Sequence, residues 1–323
     1  MKVGILGVAH MHVQSYFREL KRANIEITGV YDHCEVAAKE FCNDKKIPWF
    51  LTVAEVLATD CDTILVCSEN VFHKELALQA FKAKKHVIVE KPMALSVADG
   101  EMMIQAAKKN QVKLMVAHPV RFSQPVQDLK RIIAERDYGP VLAINSSNHG
   151  KNPGDWFVDP ALSGGGALID HTVHISDLVN YLFKITPEKI SAFIGKSDAE
   201  LAVEDIGLVN IQFKEKTIMS LDTSWNRPMI YPIWGDAILE VVFEKGYIII
   251  DGFGRKLQVY SDNQQKIKDV YYEDDMDHLM MQAFIEAIEN DLPAPVSGED
   301  GLYTVLITQM AFEAAQKKQP ITV

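Results

Sequence analysis

Five short apolar runs in the first third of the chain constrain its fold more than any other feature: Val3–Leu6, Ile27–Tyr31, Thr63–Cys67, Val87–Val89 and Leu114–Ala117. They are rich in branched residues and do not alternate with polar ones, which suits parallel strands covered on both faces. Amphipathic segments lie between them, among them Val13–Arg22 and Val36–Phe41. Thr52-Val53-Ala54-Glu55 has the spelling of a capping box, and Ser96-Val97-Ala98-Asp99 has the same form with Asp in place of Glu. Strands alternating with helices at this spacing predict a right-handed, doubly wound α/β domain.

The rhythm changes after about residue 120. Strand-like stretches follow at Val141–Asn148, Ile190–Gly195, Ile206–Phe213, Thr217–Thr223, Ile238–Phe243 and Tyr247–Asp251, some joined by turns such as Lys214-Glu215-Lys216 and Glu244-Lys245-Gly246. Runs of strands with few helices between them predict a large, mostly antiparallel sheet in an α+β domain. A glycine-rich loop, Ser163–Gly166, precedes an apolar helical stretch at Leu168–Leu182, and two helices near Asp277–Glu289 and Leu302–Lys317 close the chain. A length of 323 residues suits two domains, divided here as 1–119 and 120–323. An open sheet with one face free of helices predicts association of like subunits, as a homodimer or homotetramer.

With 33 basic against 44 acidic residues the chain carries a net charge of −11, which argues against nucleic acid or an anionic membrane as a main partner. Cys34, Cys42, Cys61 and Cys67 form no CxxC pair and read as reduced thiols of a cytoplasmic protein. No apolar run approaches membrane-spanning length, and the N-terminus does not resemble a signal peptide.

The first strand leads into Gly7-Val8-Ala9-His10-Met11-His12, a dinucleotide fingerprint with its first glycine present and Ala9 and His12 at the other two positions. Asp32 ends the second strand 25 residues after Gly7, near the spacing of about 20 expected of a ribose-binding carboxylate. His33 follows it where an arginine would favour a 2′-phosphate, so NAD is expected rather than NADP. Glu90-Lys91-Pro92 stands directly behind the apolar run His86–Val89. A lysine leaving a buried strand is costly, because desolvation disfavours its charge. Lys91 is therefore either an acid/base group over a cofactor or a solvated lysine in a turn.

The chain resembles the oxidoreductases named for glucose–fructose oxidoreductase, inositol dehydrogenase and the rhizopine protein MocA, the Gfo/Idh/MocA family. The resemblance runs nearly end to end. It rests on the opening strand-turn-helix, Cys67-Ser68-Glu69-Asn70 with His73, His86–Pro92, Gly164-Gly165-Gly166-Ala167-Leu168-Ile169-Asp170 with His174 and Asp177, and Pro295–Gly301. It implies an N-terminal Rossmann domain that binds NAD and a C-terminal domain that binds substrate. Gly7, Ala9, His10, Met11, Asp32, Ser68, Asn70, His73, Glu90, Lys91 and Arg121 then fall to the cofactor, with Arg121 near the nicotinamide. Lys91, Asp170 and His174 fall to catalysis, and His118, Trp156 and His171 join them around the substrate. The family has proline where this chain has Glu69, and a cis bond before Pro92 is a further expectation.

Asp170 and His174 are four apart, so on a helix they share one face. His174 would accept the hydroxyl proton, its ordinary pKa suiting that role, and Lys91 would stabilise alkoxide charge. No metal is expected: His10 and His12 would not share a helix face, and no cysteine or carboxylate cluster completes a site with the histidines. These residues point to an NAD-dependent dehydrogenase acting on a secondary hydroxyl of a sugar, polyol or sugar derivative. Two other readings stay open: a redox-assisted glycosidase of the same fold, and a catalytically silent NAD-binding regulator.

Overall fold

The computed structural model describes residues 1–135, 138–254, 256–261, 266–271 and 275–323, with backbone alone for 256–261 and 266–271. Its first sheet has five parallel strands, β1 (Lys2–Leu6), β2 (Glu26–Tyr31), β3 (Thr63–Val66), β4 (His86–Val89) and β5 (Leu114–Val116), in the order β2-β1-β3-β4-β5. Helices α1 (Val13–Arg22), α2 (Glu35–Lys45), α3 (Val53–Leu57), α4 (His73–Lys82) and α5 (Val97–Asn110) connect them. All five apolar runs are strands, and Val3, Ile5, Leu65, Val66, Ile88 and Val116 are fully buried, as a sheet covered on both faces requires. Both halves of the capping box at Thr52 and Glu55 are made, and Ser96 Oγ accepts the Asp99 N–H that starts α5.

The register of this sheet sets up everything that follows. Leu6 opposes Tyr31 on one side and Val66 on the other, Val66 opposes Val89, and Val89 opposes Val116. The strands therefore end on one line, and the residues that leave them (Gly7, Asp32, Cys67, Glu90, Ala117) stand along one edge. In open α/β sheets ligands bind at that carboxyl edge where the strand order reverses, which here is between β1 and β3.

The second half contributes α6 (Gln124–Glu135), β6 (Val141–Ser147), α7 (Pro160–Ser163), α8 (Ala167–Phe183), β7 (Pro187–Gly195), β8 (Ile206–Phe213), β9 (Ile218–Asp222), β10 (Ile238–Phe243), β11 (Gly246–Asp251), β12 (Lys256–Ser261), β13 (Lys266–Tyr271), α9 (Met276–Glu289), α10 (Gly298–Lys317) and β14 (Ile321–Thr322). Seven of these strands form a sheet in the order β11-β10-β6-β9-β8-β7-β14, antiparallel at every pair except β6 with β9, while β12 and β13 form a separate ribbon. Helices α8 and α10 bury one face of the sheet. The other face is open and carries Phe193, Leu208, Ile218 and Tyr247, all exposed.

Some boundaries differ from expectation. Helix α10 starts at Gly298 rather than Leu302, because Ser297 and Asp300 form a capping box ahead of it. Helix α6, the ribbon and β14 have no counterpart in the sequence reading. Met280, Met281 and Phe284 of α9, with Val296 and Val305, belong to the core of the first sheet, so the end of the chain returns to the first half.

Arg121, in the 3-10 turn Pro119–Phe122 between β5 and α6, ties three segments together. Its guanidinium forks onto Asp177 of α8, with Nε 3.0 Å from Oδ2 and a second bond to Oδ1, and reaches Asp300 of α10 at 3.4 Å. Removing one partner of a buried pair strands the other charge and costs about 3–5 kcal/mol. Arg121→Ala should therefore lower the unfolding free energy by about that amount in urea titration, and a loss below about 1 kcal/mol would contradict this account.

Candidate active site

The turn after β1 is shaped by close backbone approach. Gly7 has φ +91°, and a Cβ there would lie 2.4 Å from the backbone of Ser68, so only glycine fits. The turn opens the ten-residue helix α1. Asp32 is fixed beside it: Oδ2 accepts the Val8 N–H and Oδ1 the Cys34 N–H, both at 2.7 Å. A glycine turn that admits backbone approach, a helix N-terminus and a held carboxylate at the end of β2 together fit a dinucleotide, whose pyrophosphate and ribose use those groups. His33 stands between two carboxylates, 3.5 Å from Asp32 and 3.5 Å from Glu69, the residue in the family's proline position.

The neighbouring predicted residues brace this edge. Ser68 Oγ donates to the Glu69 carbonyl, and Asn70 Nδ2 donates to the Ser163 carbonyl of the glycine-rich loop at 2.9 Å. His73 lies between the Pro92 and Ser68 carbonyls, Nδ1 2.8 Å from the first and Nε2 3.1 Å from the second, and donates to one of them. The Lys91–Pro92 bond is cis, as expected. Ala9 offers its carbonyl to Trp156 Nε1–H at 3.2 Å. That commits the Trp156 indole edge to the dinucleotide turn, while its stacked neighbour Phe157 lines the cleft.

His10 and His12 were expected not to converge, and they do. Both precede the first turn of α1, so the helical spacing argument does not govern them. His12 Nδ1 lies 3.0 Å from Glu90 Oε1 and His10 Nδ1 lies 3.6 Å from the same oxygen. The expectation that no carboxylate joins the histidines is thus corrected: Glu90 does, with ligand-type atoms of the three residues within 4.8 Å of one another. A hydrogen-bonded ion pair between Glu90 and His12 accounts for the grouping. Burial pushes the Glu90 carboxyl up, but the imidazoles and Lys91 outweigh it and hold it well below the usual carboxylate range.

Lys91 reaches across to the second half. Its Nζ lies 2.6 Å from Asp170 Oδ1, both side chains nearly buried, while its backbone N–H donates to Glu90 Oε2. Asp170 Oδ2 accepts from Trp225 Nε1–H at 3.2 Å and faces His171 Nε2 at 3.3 Å. Asp170 sits in the first turn of α8, whose start is locked. Glu204 Oε1 accepts the Gly166 and Leu168 N–H groups, and a Cβ on Gly166 would lie 1.8 Å from the Glu204 carbonyl oxygen. One turn on, His174 lines the same cleft as Lys91, Asp170 and His171, with no protein partner at Nδ1.

Two predicted residues are placed elsewhere. His118 is buried without a partner on either ring nitrogen and is not among the cleft-lining residues. Arg121 is also absent from the cleft wall, its guanidinium being spent on Asp177 and Asp300. Asn148, Trp234 and Phe253 also line the cleft, and Asn148 and Phe253 were not foreseen. Of those two, only Asn148 had a sequence signal, as the end of a strand-like run.

Comparison with known proteins agrees with this construction. Residues 1–118 match the oxidoreductase family with an NAD-binding Rossmann fold, and residues 126–249 match the GFO/IDH/MocA C-terminal domain. Myo-inositol 2-dehydrogenase of Thermotoga maritima is 28% identical over 278 residues, covering 80% of this chain and 79% of that protein. Glucose-6-phosphate 3-dehydrogenase of Bacillus subtilis is 30% identical over 239 residues, covering 69% and 67%. Among solved structures, GenD2 from gentamicin A biosynthesis in complex with NAD shares the fold, with TM-score 0.88, 22% identity and coverage of 100% and 96%. The chain belongs to the GFO/IDH/MocA oxidoreductase family and is an NAD-binding oxidoreductase. Among the described residues, no helix is long and apolar enough to cross a membrane.

The histidines in and around the cleft are held mostly neutral. Burial pushes His10 down to about 3, and burial also lowers His73, His118, His171 and His174. His12 is the exception, raised by Glu90 despite its burial. Unfolded histidines take up a proton near pH 6.5, whereas these do so only further down, so the unfolded state binds more protons in that window. Stability should therefore fall as pH drops from 6.5 toward 3, with His10 alone costing about 2 kcal/mol at pH 5. Urea unfolding at pH 7 and pH 5 checks this, and equal stability at the two would contradict neutral burial.

Proposed function

We propose that the protein is an NAD-dependent dehydrogenase that oxidises a secondary hydroxyl of a sugar, polyol or sugar derivative, or reduces the matching ketone. The observation that carries this reading is the Lys91–Asp170 pair at 2.6 Å, with His174 on the same cleft wall, at the sheet edge where Gly7 and Asp32 stand. Bound NAD supplies the carbon that exchanges hydride with the substrate.

The chain's own groups do the rest. Lys91 Nζ has three donors, so it keeps Asp170 and still donates to the substrate oxygen. Its charge stabilises that oxygen as the proton leaves. The His174 imidazole takes the proton, and burial together with the charge on Lys91 keeps it unprotonated and ready to do so. Asp170 fixes Lys91, and Trp225 fixes Asp170. NAD is favoured over NADP because Asp32 and Glu69 together present two carboxylates where a 2′-phosphate would approach. The relatives named for myo-inositol and glucose 6-phosphate support a hydroxylated ring as substrate.

Lys91→Ala and His174→Ala should each lower kcat by about 10²–10⁴-fold in nicotinamide absorbance assays over a panel of sugars, polyols and glycosides. NADH affinity should stay within about threefold for His174→Ala, since that residue faces the substrate. Full turnover by Lys91→Ala would sink its assigned role. Calorimetric titration should also show NADH binding at least about tenfold more tightly than NADPH, with Asp32→Ala narrowing the gap. Tighter binding of NADPH would overturn the cofactor assignment.

A further inference from the structure

We propose that the substrate is a neutral glycoside with an apolar, aryl-type aglycone, and that a second chamber beside the reaction cleft receives that aglycone. The inference rests on the dehydrogenase reading and adds to it the chemistry of the substituent. The reaction cleft itself is small, about 60 Å³. A chamber of about 390 Å³ adjoins it, within the range of about 300–1,000 Å³ found for small-molecule sites. The two adjoin along a common wall, since Met11, His12, Trp234, Phe253 and Met276 line both, and the proposed substrate spans that wall with its sugar on one side and its aglycone on the other.

The dinucleotide does not account for the chamber. Of the residues assigned to the cofactor, only Met11 also lines it, and Gly7, Asp32, Ser68 and Glu90 do not. It lies against Ser15 and Arg18 of α1 and the start of α9.

The walls select for an apolar, uncharged group. Ile233, Pro125, Trp234, Phe253 and Met276 supply the apolar surface. Arg18 is the only arginine or lysine among the described lining residues, and it is already engaged, 3.1 Å from Glu19 and 3.4 Å from Asp275. Asp275 and Asp277 line the same chamber. Among the described lining residues, a phosphate or nucleotide substituent would meet these carboxylates with no unpaired arginine or lysine to offset them, and like charges repel. The exposed part of this wall is also apolar: Ile233 is 40% and Trp234 43% exposed. Isolated exposed apolar residues are ordinary, but two adjacent ones on the wall of a chamber suit contact with an apolar group. The Trp234 indole gives an aryl ring a stacking face.

The test is calorimetric titration of the NADH-loaded protein with phenyl and methyl glucosides and galactosides in both anomeric forms, and with glucose 6-phosphate. At least one phenyl glycoside should bind at least tenfold more tightly than its methyl counterpart, and glucose 6-phosphate should bind more weakly than that phenyl glycoside. Ile233→Asp, which adds a charge to the chamber, should bring the phenyl-to-methyl ratio close to one. NADH binding by the same variant shows that it is folded. A ratio near one for every pair in the unaltered protein, failure of every phenyl glycoside to bind, or tighter binding of glucose 6-phosphate would overturn the proposal. Because the ratio is read from affinity, it is separate from turnover: phenyl preference without any NAD reduction would sink the dehydrogenase reading and leave the chamber standing.

Discussion

The bond between Lys91 and Asp170 is the constraint on which the rest of the site depends. Two opposite charges are withdrawn from water at the meeting of a parallel strand and a helix of the other sheet's layer. Such a pair repays its desolvation only when its geometry is good and the remaining donors and acceptors are satisfied. The structure meets that condition outward in steps. Trp225 takes the second oxygen of Asp170, Glu204 locks the first turn of α8 so that Asp170 points at β4, and Glu90 holds the backbone N–H of Lys91. His73, lying between the Ser68 and Pro92 carbonyls, fixes the path of the chain on either side.

Much of this was legible in the sequence, for reasons that can be named. Parallel strands buried on both faces leave continuous apolar runs, so all five strands of the first sheet were visible, and the lined-up strand ends made Gly7, Asp32 and Lys91 neighbours. The four-residue spacing of Asp170 and His174 put them on one helix face before any coordinates did. What alternation cannot report is which strands pair. The parallel match of β6 with β9 joins strands separated by α7, α8, β7 and β8, and nothing local encodes it.

The missed site residues share a different cause. Phe253 comes from an irregular segment with no period to read, and Glu204 acts on α8 from 36 to 38 positions away. His10 and His12 were misjudged because a helical rule was applied to a turn. Arg121 shows the reverse error. A basic residue near the cleft in sequence is one turned in space to Asp177 and Asp300, where it secures the helices that carry the site rather than lining it.

The charges of the cleft bear on how the proposed proton transfer must work. Lys91 is matched by Asp170 and Glu90 by His12, and His174 is a neutral group beside these two compensated pairs, with Nδ1 free of any protein partner. Burial and the nearby ammonium make His174 a weaker base than free imidazole. It therefore cannot deprotonate an alcohol by basicity alone, and the alcohol must be made more acidic as hydride departs. The ammonium that weakens His174 is the same group that stabilises the developing alkoxide, so its two effects oppose each other on the base and assist on the substrate. Lys91→Ala would relieve the first while forfeiting the second. The loss exceeds the relief because the substrate oxygen in contact with Nζ feels the charge more strongly than the imidazole on the far side of that oxygen.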